Sequence, residues 1–321
     1  HGPAAAVAAV DDEKHLLHRI LGTALHTQIV NDKQVVLVKA GDKVGPILRE
    51  HSGQAIQDGG KVRHQHRHVP VKQGVPLTYL YTDAQKAELM QDCGIHGVYC
   101  PAFSELCALD GESFCRQVLV ELLHAREVFC GGDFRFGAKA AWNIDSLREF
   151  GRQMGFAVHQ IDPVFCGGEK ISSTAIRDAI RRGEPETAAG MLGTAYRISG
   201  SVVHGAALGR TRAVPTINIP FAPGQLVPRY GVYVSRTHTP QGSFDSITDV
   251  GVKPTVADAQ APAAETFLLD FSGDLYEQPC RVELLHFLRD ERKFPDVESL
   301  YGQIARDQEQ CREWLKNHKN L

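Results

Sequence analysis

The chain has 321 residues, 43% of them hydrophobic and 23% charged, with a formal net charge of −3. That length suggests about two domains of roughly 150 residues each, and the composition is that of a globular protein able to bury a core. The charge argues against recognition of nucleic acid or an anionic membrane by an overall field, so any phosphate recognition must be local.

Residues 2–10 resemble a secretory hydrophobic segment only weakly, with no basic stretch ahead of them. Residues 34–38 (Q-V-V-L-V) read as a buried strand, whereas 41–75, rich in Gly, His, Lys and Arg, show no clear periodicity. Helical spacing is expected at 83–92, 111–125 and 144–154, and strands at 97–99, 127–130 and 156–161. Strands alternating with helices predict a Rossmann-like parallel α/β sheet. A compact helix follows within 170–183. Ser173 stands at its cap, Gly183 just past its end, and Ala175, Ile176, Ala179 and Ile180 form its apolar stripe, with Arg177 and Asp178 on other faces.

After about residue 195 the pattern changes. Short β-like runs at 196–203, 216–220, 231–236, 246–252, 265–271 and 280–287 are separated by Gly, Pro and Asp, which predicts an antiparallel barrel or sandwich. A closing helix over 296–317 carries Val297, Leu300, Ile304, Cys311 and Leu315 on one stripe. The expected organisation is therefore an α/β domain at 1–186 and an all-β barrel with a C-terminal helix at 187–321.

The eight cysteines include no C-x-x-C pair, so zinc-knuckle spacing is absent. Cys93, Cys100 and Cys107 recur every seven residues and read as small buried apolar side chains. Free thiols without a secretory segment point to a reducing cytoplasm, and no apolar run approaches the ~20 residues of a membrane span.

One stretch, H-G-A-A-L-G-R-T-R-A-V-P-T-I-N (204–218), carries chemistry in its spacing. Gly205 and Gly209 leave backbone N–H groups open to a phosphate, since no Cβ stands in the way, and Arg210 and Arg212 add charge. Pro215 holds the segment extended. Thr216 and Asn218, two apart on a strand, face the same side. A hydroxyl beside a carboxamide oxygen suits Mg²⁺, which prefers oxygen ligands and bridges to phosphates. A glycine-rich hairpin leading into a barrel strand is the plainer reading of the same residues.

This stretch, with G-V-Y (231–233), G-V-K-P-T (251–255), A-E-T-F-L-L-D-F-S-G-D-L-Y (264–276) and L-R-D-E-R-K-F (288–294), resembles the riboflavin kinase domain. Upstream, V-F-C-G-G-D-F-R-F-G (128–137) and I-S-S-T-A-I-R (171–177) resemble the FAD synthetase domain of the bacterial bifunctional riboflavin kinase/FAD synthetases. The resemblance implies ATP-dependent phosphorylation of riboflavin to FMN by the second domain, with Mg²⁺, and adenylylation of FMN to FAD by the first. It implies small-molecule substrates, and neither a nucleic acid nor a membrane as partner.

Residue by residue, the resemblance implies that Gly205, Gly209 and Arg210 cover the ATP phosphates, that Thr216 and Asn218 hold the metal, that Glu265 is the general base, and that Arg289 lies at the flavin end. A surface ion pair of Arg289 with Asp290 or Glu291 is the plainer alternative. In the first domain it implies FMN- and ATP-binding roles for Asp133, Ser172, Ser173 and Arg177, and a catalytic role for His15 and His18, the counterpart of an H-x-G-H phosphate-binding motif. Departures concentrate there: Leu17 stands where that motif has glycine, and Trp142 where the family has a small residue. His64, His66 and His68 receive no role. Two readings follow. The chain is an enzyme that makes FMN, either with or without FAD formation in its altered first domain, or a non-catalytic flavin- or nucleotide-binding protein whose first domain serves as scaffold or regulator.

Overall fold

The computed structural model describes residues 6–10, 35–40, 78–92, 97–99, 106–203, 216–254 and 260–318. By compactness the chain divides into His1–Ser173 and Thr174–Leu321. The helices that follow Ser173 therefore group with the second unit, ahead of the 186/187 division expected from the sequence.

The first unit is α/β. Its strands β1 (Ala6–Val10), β2 (Val35–Ala40), β3 (Gly97–Tyr99), β4 (Ala125–Gly131) and β7 (Ala157–Ile161) form one sheet in the order β3-β1-β2-β4-β7. β1–β2 and β4–β7 pair in parallel, and β1–β3 and β2–β4 antiparallel. The Ala/Val run at 6–10, read from sequence only as a weak hydrophobic segment, is a strand of this sheet. Two short hairpins, β5 (Arg135–Phe136) with β6 (Trp142–Asn143) and β8 (Phe165–Cys166) with β9 (Glu169–Lys170), lie between the larger elements.

Helix α1 (Asp83–Asp92) occupies the expected span. Helix α2 starts as Gly111–Ser113, where Asp110 accepts from the Ser113 N–H at 2.7 Å, and continues as a π-helix over Phe114–Leu122. The wider winding shows in the Leu123 N–H bond to Val118 O, five residues back, at 3.0 Å. It sets Phe114, Cys115, Val118 and Leu119 into the core beside Val128, Phe134, Phe136 and Phe156. Helix α3 (Ile144–Met154) begins where Asn143 accepts from the N–H groups of Asp145 and Ser146 and ends at left-handed Gly155. It carries the chain from β4 across to the parallel strand β7, which is why Leu147 is fully buried in the same core. Cys107 is exposed rather than buried.

In the second unit, α4 (Ser173–Arg182) and α5 (Pro185–Leu192) precede the barrel. Gly183 ends α4 with φ +77°, the conformation expected of a residue just past a helix. Six strands follow: β10 (Tyr196–Ser201), β11 (Thr216–Pro220), β12 (Gly231–Thr239), β13 (Gly242–Pro254), β14 (Gln260–Leu268) and β15 (Pro279–Arg289). They form an antiparallel sheet in the order β10-β15-β12-β13-β14-β11. The sheet curls until its two edges meet, Val203 just beyond β10 donating to Asn218 O on β11 at 2.9 Å.

Strand alternation gives the barrel two unlike faces. One buries Ile198, Ile219, Tyr233, Val282 and Leu284 together with five hydroxyls linked in a chain. The order is Thr237–Ser246–Ser235–Thr248–Thr266, with successive oxygens 2.8, 2.8, 2.8 and 2.9 Å apart and every member fully buried. The other face carries Val232, Val234, Ile247 and Phe267, against which helix α6 (Val297–Asn317) packs Cys311, Trp314 and Leu315. Val297 and Leu300, expected in the buried stripe, are exposed, because the helix meets the barrel with its second half.

Candidate active site

The site expected around Thr216, Asn218 and Glu265 is assembled in the second unit. Strand β11 starts at Thr216, so alternation puts Thr216 and Asn218 on one face. β14 pairs antiparallel with β11 and sets Glu265 directly opposite Asn218. Residues directly opposed across an antiparallel pair share a face. Thr216 Oγ1 donates to Glu265 Oε1 at 2.9 Å across 49 residues of sequence. The hydroxyl spends its proton on the carboxylate and keeps its lone pairs for another acceptor role. Asn218 is only 8% exposed, and its carboxamide shares that face with Thr216 and Glu265. A hydroxyl, a carboxamide and a carboxylate on one face form an all-oxygen donor set that fits Mg²⁺.

Sequence reading missed what stands on the far side of Glu265. β13 pairs with β14 so that Asp249 lies opposite Glu265, giving a row Asn218–Glu265–Asp249 across three strands. Two residues on, Gly251 is covered by the Glu291 carboxylate so closely that a Cβ there would sit 2.0 Å from Glu291 Oε1, so the position demands glycine. Asp249 was visible only as one polar residue in a β-like run, and nothing in the sequence states which strand it faces.

Arg289 closes the same face at the other end. Its expected surface partners were Asp290 or Glu291, but the structure pairs it with Asp307 of α6. Arg289 Nε reaches Asp307 Oδ1 and Oδ2 at 3.0 and 3.1 Å, and Nη2 reaches Oδ2 at 2.6 Å. Gln303 donates to the same carboxylate at 2.8 Å, and Asp307 is 3% exposed. The Asp290 carboxylate instead accepts from Arg229, whose guanidinium lies 4.8 Å over Phe287, while the Asp290 backbone carbonyl accepts from Arg289 Nη1 at 3.0 Å. Helix spacing could have flagged Asp307 as an acid on the apolar stripe, but its partner could not be read.

In the first unit Asp133 follows the Gly131-Gly132 end of β4. Ser172 and Ser173 introduce α4, which begins at Ser173 itself. Arg177, expected off the apolar stripe, is buried. It is 7% exposed, buried like Ile176, Ala179 and Ile180, although it lies about 100° around the helix from Ile176. Trp142 lays its indole on Gly111 and Gly137, where a Cβ would come within 2.5 Å of the ring. The expected sites at His15, His18, Gly205, Gly209 and Arg210, and the histidines at 64, 66 and 68, lie outside the described residues.

Comparison with known proteins decides the family. A riboflavin kinase family model matches residues 192–315, and an FAD synthetase model matches residues 63–175. The bifunctional riboflavin kinase/FMN adenylyltransferase of Escherichia coli strain K12 is 34% identical over 273 residues, covering 82% of this chain and 87% of that protein. The chain belongs to the bifunctional riboflavin kinase/FMN adenylyltransferase family. The family's protein from Listeria monocytogenes is 33% identical over 239 residues, 74% of this chain and 75% of its own. That from Haemophilus influenzae is 36% identical over 205 residues, 64% of this chain and 66% of its own. Among solved structures, a macrolide-efflux protein from Streptococcus pneumoniae matches with a TM-score of 0.68 at 24% identity, over 98% of this chain and 96% of that one, which speaks to the fold alone. Among the described residues of this family member, no helix is long and apolar enough to cross a membrane.

Proposed function

We propose that this chain converts riboflavin to FMN with Mg-ATP in its C-terminal domain, 187–321, and FMN to FAD with ATP in its N-terminal domain, 1–186. Family membership supports both reactions, and the contact between Thr216 and Glu265 supports the first at the level of residues. Phosphoryl transfer is largely positioning and charge stabilisation. Glu265 accepts the proton of the ribityl hydroxyl as its oxygen attacks the terminal phosphorus, and ADP leaves with the bridging electron pair. Thr216 and Asn218 hold the metal, and Gly205, Gly209 and Arg210 cover the phosphates. Magnesium bound there neutralises charge on the phosphates. Arg289, fixed by Asp307, faces the flavin end.

For the adenylyl half we assign phosphate stabilisation to His15 and His18, and nucleotide and flavin binding to Asp133, Ser172, Ser173 and Arg177. The division we assign to the two activities, 186/187, falls between the two matched family stretches. Free thiols at all six described cysteines support a reducing cytoplasm as the site of action.

The test is chromatography of flavins after incubation with ATP and Mg²⁺, once from riboflavin and once from FMN. Wild type is expected to form FMN and then FAD, and Glu265→Gln to lose on the order of 10²–10⁴-fold in FMN formation while still making FAD from supplied FMN. Absence of FMN with wild type would reject the kinase assignment.

A further inference from the structure

We infer that Asp249 is a further residue of the phosphoryl-transfer site, adding its carboxylate to the cation-holding Thr216 and Asn218, beside the base Glu265. The inference deepens the kinase reading and rests on it. Its first support is register: Asp249 is directly opposite Glu265, and Glu265 directly opposite Asn218, so the three side chains leave one face side by side. Directly opposed side chains in an antiparallel pair have Cβ atoms about 4.5–5.5 Å apart. That register is held from behind. The next pair along, Thr248 and Thr266, points to the opposite face and is joined by a fully buried hydroxyl–hydroxyl bond of 2.9 Å.

The second support is charge. Opposed like charges destabilise a sheet, and opposite charges stabilise it. The rest of this barrel follows that rule: Glu283 faces Arg197 on one side and Arg236 on the other, and Asp245 faces Arg236. Asp249 and Glu265 are the one pair of directly opposed carboxylates among the described barrel strands. The third support is Asn218. Its carboxamide, on a residue 8% exposed, stands in the same row and offers a neutral oxygen beside the two carboxylates. A row with two carboxylates and a carboxamide oxygen suits a hard divalent cation, whose affinity rises with the number of charged ligands. Asp249 thus sets how tightly the cation is held, while Glu265 handles the proton.

The experiment titrates Mn²⁺ into the full chain with ADP present and reads free Mn²⁺ by electron paramagnetic resonance, for wild type, Asp249→Asn and Asp249→Glu. Asn keeps the shape and removes the charge, so its affinity is expected to fall roughly 10–100-fold, while Glu, which keeps the charge, stays near wild type. In parallel, the Mg²⁺ concentration for half-maximal FMN formation should rise by a similar factor in Asp249→Asn, with the rate recovering at high Mg²⁺. Glu265→Gln should stay slow at every Mg²⁺ concentration. Unchanged Mn²⁺ affinity in Asp249→Asn would overturn the inference, as would an equal fall in both Asp249 variants. Wild type that binds Mn²⁺ and ADP but forms no FMN would mark the failure of the kinase reading instead, so the two are distinguishable.

Discussion

Replacing Asp307 by alanine tests how α6 is tied to the barrel. Asp307 is 3% exposed, and its carboxylate accepts three contacts from Arg289 and one from Gln303. The side chains of the pair are 14% and 4% exposed, so both charges are largely out of water. The intact pair is weak evidence of stability, because desolvation offsets most of the Coulomb gain. Removing one partner is different, since it strands a charge, and costs about 3–5 kcal/mol. That is a large part of the roughly 5–15 kcal/mol that holds a typical domain folded. Replacing Arg289 and Asp307 together by methionine and leucine should cost less than Asp307→Ala alone. The chain has two tryptophans, Trp142 in the first unit and Trp314 on α6, so Trp142→Phe leaves a reporter of the second unit alone. Trp314 stacks against His286 and His318 at 5.3 and 4.2 Å, and its fluorescence should change when α6 detaches. Urea unfolding followed at Trp314 should therefore show the midpoint falling with an unchanged slope. A loss under about 1 kcal/mol, the worth of a surface ion pair, would refute the argument that the charge is stranded, and so would a double variant no more stable than the single one.

Ser235→Ala removes the middle of the buried hydroxyl chain, where Ser235 Oγ bonds both Ser246 and Thr248 at 2.8 Å. The expected loss is about 1–3 kcal/mol in the same urea assay, and an unchanged midpoint would mean the chain contributes no stability. Burial pushes the thiols of Cys115, Cys130 and Cys311 up to about 12. A raised thiol pKa disfavours the thiolate, which is the reactive form, so at pH 8 these three should be silent to a disulfide reagent until urea is added, while exposed Cys107 reacts in the native protein. Rapid labelling of all of them in the native state would contradict that burial.

Local signals made much of this molecule readable. Asn143 and Gly155 bracket α3 because a cap and a left-handed stop act within a few residues of themselves. Short β-like runs between Gly, Pro and Asp marked all six barrel strands, the fifth shifted from 265–271 to Gln260–Leu268. Alternation put Thr216 and Asn218 on one side, and the motif resemblance brought Glu265 beside them. The winding of Phe114–Leu122 was not readable, since apolar spacing alone does not separate a π-turn from an α-turn. Nor was the burial of Arg177, which depends on what its helix meets.

What the amino-acid order determined by itself is therefore periodic and near-neighbour: which segments are strands or helices, where they stop, and which residues share a face. Strand pairing belongs to the tertiary structure, because the hydrogen-bonding edge of a strand is the same at every residue and only packing selects the partner and the register. That choice set Asp249 against Glu265 and Arg289 against Asp307, contacts made between segments 16 and 18 residues apart.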